Sequence, residues 1–116
     1  MKSRSVKDII ESHLQNRKKG DIDRDIQENI SPEIIILSNH GVFRGHQGVR
    51  HSSKILNQEL PDAKFDYKKI SIEEDYGFLE WSASSKNHKV EDGADSFVVR
   101  NEKIVFQSIH YQVKIK

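Results

Sequence analysis

The C-terminal third of the chain constrains the fold most. Residues 94–100 and 103–113 are two extended, apolar-rich runs separated by Asn101 and Glu102, a pair suited to a two-residue hairpin turn. Such a turn sets Arg100 opposite Lys103, Val99 opposite Ile104, Phe97 opposite Phe106 and Asp95 opposite Ser108. Residues directly opposed in an antiparallel pair share a face. One face then carries Asp95, Phe97, Val99, Ile104, Phe106, Ser108 and His110. The other carries Val98, Val105, Ile109, Tyr111 and Val113. Both faces are largely apolar, whereas an open antiparallel sheet normally wets one side. Each face therefore needs a cover. Helices can supply one, and a second subunit is the simplest supply of the other, so a homodimer through the sheet face is expected. A sharply curled sheet that folds over itself is the competing explanation.

The helices lie upstream. Val6, Ile9, Ile10, His13 and Leu14 recur at helical spacing, with Ser5 placed to cap them and Asp8 three residues on. After Gly20, Ile22, Ile26 and Ile30 form a second, shorter stripe that Pro32 helps to stop. Residues 33–37 read as a short branched strand. A third helix is expected from about Gly45 to Asn57. Beyond Pro61 the pattern is β. Phe65 and Tyr67 share one parity and Ile70 and Ile72 the other, so a bulge is expected near Lys68 and Lys69. Residues 76–83 form the next strand, and 84–93 read as a polar connection. Helix, helix, strand, helix and then a strand meander is an α+β order.

With 116 residues there is room for one domain, read as 1–116. The formal charge is +1 and the charges are mixed along the chain, which argues against nucleic acid as a partner. No apolar run approaches a membrane span. The N-terminal residues lack the apolar core of a secretory signal, and the cytoplasm is the default expectation. The absence of cysteine excludes thiolate chemistry and disulfides. Carboxylates and histidines remain.

On the hairpin register above, Asp95 and His110 are diagonal neighbours about 7 Å apart. A carboxylate and an imidazole in reach can serve as a base and its orienting partner. Phe97, Phe106 and Val99 would wall such a site, and burial among them would raise the carboxylate pKa. A buried Asp–His pair that only satisfies its own hydrogen bonds is the alternative. In residues 76–83 only one parity can face the core. If Tyr76, Phe78 and Glu80 do, Glu80 is a third ionisable pocket group; if Leu79, Trp81 and Ala83 do, Trp81 is a wall. The Glu80 set is the preferred reading. His40, His46, His51 and His110 lack metal-ligand spacing, so no metal is expected. Gly41, Gly45 and Gly48 lack the pattern of a phosphate loop.

Three runs carry a family resemblance: HGVFRGHQGV at 40–49, FLEWSA at 78–83 and DGADSFVVRNEKIVFQSIHY at 92–111. In that order they resemble the SnoaL-like branch of the nuclear transport factor 2-like (NTF2-like) superfamily, over most of the chain. The resemblance implies a cone-like α+β fold, in which a strongly curved mixed or antiparallel sheet packs on three helices of the N-terminal half. Such cones often enclose a pocket. Members include isomerases, dehydratases, cyclases and hydrolases, as well as ligand-binding and dimerisation modules. By location, the resemblance puts Asp95 and His110 in the catalytic position and His40 at the wall or mouth.

The expected protein binds a small apolar or weakly polar molecule. It is an acid–base lyase, isomerase or cyclase for a mostly apolar carbonyl compound. Asp95 and His110 are its catalytic pair. His40, Tyr76, Phe78, Glu80, Trp81, Phe97, Phe106 and Tyr111 are its pocket residues. Such chemistry needs no cofactor. A non-catalytic ligand-binding or dimerisation domain is the alternative.

Overall fold

A computed structural model describes residues 3–116. Helix α1 (Val6–Lys19) opens at a capping box, in which the Ser5 hydroxyl accepts from the Asp8 N–H and the Asp8 carboxylate from the Ser5 N–H. It ends at Gly20, whose φ of 73° is left-handed. Helix α2 (Ile22–Asn29) is capped by Asp21 and runs straight into strand β1 (Ile30–Ser38). Pro32 therefore lies inside β1 rather than ending α2. Strand β2 (Gly41–Arg44) returns antiparallel to β1 and leads into α3 (Gly45–Glu59). Strands β3 (Lys64–Glu73), β4 (Tyr76–Ser84), β5 (His88–Arg100) and β6 (Lys103–His110) form a meander, and β7 (Val113–Ile115) pairs back onto β5. Strand β5 begins earlier than its polar sequence suggests, because Lys89 and Val90 pair on both sides, with β4 and β7.

The sheet order is β2-β1-β6-β5-β4-β3, with β1 and β6 parallel. The α+β class and the mixed sheet agree with expectation; the strongly curved cone does not. The sheet is neither strongly curved nor closed. Its path ends in two separate edges, β2 and β3, that never pair with each other. The reason is local: β2 is four residues long and passes directly into α3, and the last strand joins β5 instead of bridging the edges.

One face of the sheet carries the helices and the core. Leu79, Trp81, Phe97, Val99 and Ile104 are buried there against Ile9, Ile10 and Leu14 of α1 and Ile26 of α2. The other face is bare. The register aligns Tyr76, Val98, Phe106 and Ile35 in one row across it, and Phe78, Ser96, Ser108 and Leu37 in the next.

The hairpin turn is as expected. Asn101 and Glu102 both have positive φ, 52° and 60°, the signature of a type I′ turn, with Arg100 opposite Lys103 and Val99 opposite Ile104. The register then slips: Val98 pairs with Phe106, leaving Val105 as an extra residue. A one-residue slip exchanges the faces of everything beyond it. The bulge expected in β3 lies between Tyr67 and Lys69.

Candidate functional site

A cavity of about 130 Å³ lies between the helices and the covered face of the sheet. An engineered apolar cavity of about 150 Å³ holds a benzene molecule, so this space suits one ring or a short chain. Ile36, Leu79, Trp81, Phe65 and Ile109 supply its apolar wall. It opens beside Gly20 and Asn57, the exposed residues of its lining.

Asp95 lies on the wall of this cavity and is 8% exposed. Its Oδ1 accepts from the Trp81 indole N–H at 3.0 Å, and its Oδ2 accepts from the Gln107 amide at 3.1 Å. Burial pushes its pKa up to about 6; the two hydrogen bonds and the charges of His13 and Arg17 pull the other way without cancelling it. The result is a carboxylate held in a fixed orientation by neutral donors, with lone pairs to spare.

His13 comes from α1 and also lines the cavity. Its Nδ1 is 2.7 Å from Asp25 Oδ2 of α2, in full burial. An ionised carboxylate only accepts, so Nδ1 carries the proton and Nε2 is the nitrogen left for other partners. Asn29 donates to Asp25 Oδ1 at 3.0 Å, and Arg4 donates to Asn29 Oδ1 at 2.7 Å. This relay fixes Asp25 and through it the imidazole, whose ring meets Phe97 edge-on. Tyr67 completes the wall, its phenol pushed up to about 12 chiefly by burial.

The expected residues divide sharply. Asp95 and Trp81 line the cavity. His110 does not: the slip at Val105 puts it opposite Ala94 on the bare face, exposed, while Asp95 sits opposite Ile109. The expected Asp95–His110 pair is therefore not formed, and Gln107 takes the place next to Asp95. The same correction applies to Phe106, which the slip moves to the bare face. Glu80 pairs with Ala94 and points to that face as well, so the inward set is Leu79, Trp81 and Ala83. Tyr76 and Phe78 go outward with Glu80 and are 53% and 41% exposed. Phe97 is buried in the core, against His13. His40 and Tyr111 meet outside the cavity, where Glu59 Oε1 lies 3.0 Å from His40 Nε2 and accepts from the Tyr111 hydroxyl at 2.8 Å. Among the described residues no group of three or more histidines and carboxylates is placed to hold a metal ion. Among the described residues, no helix is long and apolar enough to cross a membrane.

His13, Asp25 and Gln107 were not singled out from the sequence. The signal for His13 was present, since a histidine stands in the apolar stripe of α1. Asp25 adjoins Ile26 in α2 in the same way.

No family model matches the sequence, and no curated protein matches it. Solved structures do. An NTF2-like protein of unknown function from Cytophaga hutchinsonii superposes with a TM-score of 0.78 at 9% identity, over 97% of this chain and 95% of that one. An NTF2-like protein of unknown function from Burkholderia xenovorans gives 0.75 at 15% identity, over 92% and 82%. The fold matches distant members of the NTF2-like superfamily. A candidate polyketide cyclase from Sinorhizobium meliloti gives 0.74 at 11% identity, over 88% and 93%. At these identities the likeness concerns the fold alone.

Proposed function

We propose that this chain binds a small, mostly apolar carbonyl compound in the cavity and moves a proton on it, as an isomerase, lyase or cyclase of the SnoaL-like kind. The observation that carries this reading is Asp95, a carboxylate on the cavity wall whose pKa burial pushes up to about 6. A general base works best with a pKa near the working pH. Asp95 would take a proton from the carbon next to the carbonyl. The C–H electron pair then moves into the carbonyl group and leaves an enolate, and Asp95 returns the proton to the same carbon or to a neighbouring one. The Tyr67 phenol on the same wall, protonated throughout this range, would donate toward the developing oxygen charge. Polyketide cyclisation, named for one structural neighbour, belongs to this chemical class.

The test is solvent exchange. The full chain is incubated in D2O with phenylacetone, and loss of the proton signal next to the carbonyl is followed by NMR. Catalysed exchange is expected to rise with pH as Asp95 ionises, to be half-maximal near pH 6 and level above it. Binding without exchange would leave the non-catalytic ligand-binding reading.

We also propose that the bare sheet face is covered by a second copy. Tyr76, Phe78 and Leu37 are exposed on it, beside half-buried Val98 and Phe106. Two such faces are self-complementary about a twofold axis. Sedimentation analysis is expected to give twice the 13.5 kDa chain mass, and Phe78→Arg to return the protein to a monomer.

A further inference from the structure

The cavity carries polar groups besides Asp95. Asn16 is 5% exposed and its side-chain Nδ2 has no hydrogen-bond partner, the single such buried side-chain atom among the described residues. A buried amide donor left unpaired is costly, and a folded chain retains few of them. Asn16 nonetheless lines the cavity. Its neighbour Arg17 lines it too, half-buried, and enters no ion pair among the described residues. Ser53 of α3, buried at 8% exposure on the cavity wall, makes no side-chain hydrogen bond among the described residues either.

These groups share a chemistry. The guanidinium and the amide NH2 only donate, and the hydroxyl can donate. A half-buried guanidinium with no carboxylate in contact favours an anion, and its planar fork fits a carboxylate. A neutral carbonyl would use Asn16 but leave Arg17 without a contact ion. The positions agree with this division. Arg17 lies next to Asn16 in sequence and close to Gly20 at the opening, while Trp81 and Leu79 are buried deeper, beside Asp95.

We infer that the ligand is a small carboxylic acid, its carboxylate held near the mouth by Asn16 and Arg17 and its single ring or short chain inserted toward Trp81 and Asp95. The inference uses the cavity as the ligand site, as above, but does not require Asp95 to act as a base. Ser53 is placed to donate to the same head group.

The test compares phenylacetate with phenylacetamide, which has the same shape and no charge, by calorimetric titration of the full chain. Phenylacetate is expected to bind at least about tenfold more tightly, as a charge-assisted contact implies. Arg17→Gln is expected to erase that preference while leaving phenylacetamide binding unchanged. Asn16→Leu is expected to weaken phenylacetate binding and to raise the melting temperature, because it removes an unpaired buried donor. In labelled protein the Asn16 side-chain NH2 signal shifts on addition of phenylacetate. Equal affinity for the two compounds overturns the inference. So does a preference that survives Arg17→Gln, or no binding of either compound at about 10 mM. Asp95→Asn is expected to keep or strengthen the acid preference, because it removes a negative charge that acts on Arg17. Loss of that preference therefore counts against the Asn16 and Arg17 contacts alone, and absence of exchange on phenylacetone counts against the base alone.

Discussion

Asp95→Asn is expected to make the protein more stable above pH 7 and to lower catalysed proton exchange by about 10²- to 10⁴-fold, the usual contribution of a positioned base. Both effects come from the same burial. The folded pKa of Asp95 is raised from 3.8 to about 6, so the folded state holds this proton more tightly than the unfolded chain does. Stability from this group is therefore full below pH 4 and is lost as pH rises through 6. Two pH units correspond to about 3 kcal/mol at most. Asparagine has the same shape without the charge. Its oxygen can keep the Trp81 N–H, and the Gln107 amide can turn to accept from the new NH2. Thermal unfolding at pH 8 should place the variant several degrees above the parent, and at pH 4 the two curves should converge. Equal melting temperatures at pH 8 would remove the physical basis for the base.

Gly93→Ala is expected to destabilise the fold by about 2–3 kcal/mol, the upper part of the usual overpacking range in a tight core. Gly93 lies directly opposite Trp81 in the β4–β5 ladder. A Cβ at 93 would run into the Trp81 indole ring itself, at Cδ2, Cε2 and Cε3. A flat ring cannot give way at its middle, so the indole must move and its hydrogen bond to Asp95 with it. Gly77 offers the control. There the added carbon would meet the end of the Ile10 side chain, which can change rotamer. Urea unfolding should therefore rank Gly93→Ala well below Gly77→Ala in stability, and only Gly93→Ala should also disturb exchange. A reversed ranking would mean that the indole is not locked against the strand.

What could be read from residue types follows where the pattern leaves a mark. The slip in β3 was visible because Phe65 and Tyr67 point one way and Ile70 and Ile72 the other. The slip in β6 left no mark, because Ile104, Val105 and Phe106 are all apolar and any of them can be skipped. That single hidden residue moved His110 out of the site and brought Gln107 in. The turn was legible from Asn101, which tolerates positive φ, placed between two apolar runs; Glu102 adopts the same left-handed backbone against its own preference. The inward parity of β4 was not, because aromatic residues stand on both faces and the bare face is rich in them. His13 was legible as part of a buried stripe. Its role emerged only when α2 placed Asp25 against it. The openness of the sheet depends on which strands end at its edges, and the residue types within those strands do not reveal it.

The parallel pairing of β1 with β6 also bears on how the chain comes to fold. Ile35 lies beside Phe106, so the middle of the sheet joins segments made early and late in synthesis. Until β6 has left the ribosome, β1 has only β2 for a partner, and the cavity lacks Gln107 and Ile109 of its wall. Such distant pairing slows folding, because the long loop must close before the contact rewards it. A nascent chain stopped short of β6 therefore exposes an apolar strand edge, and that is the species on which a chaperone would act.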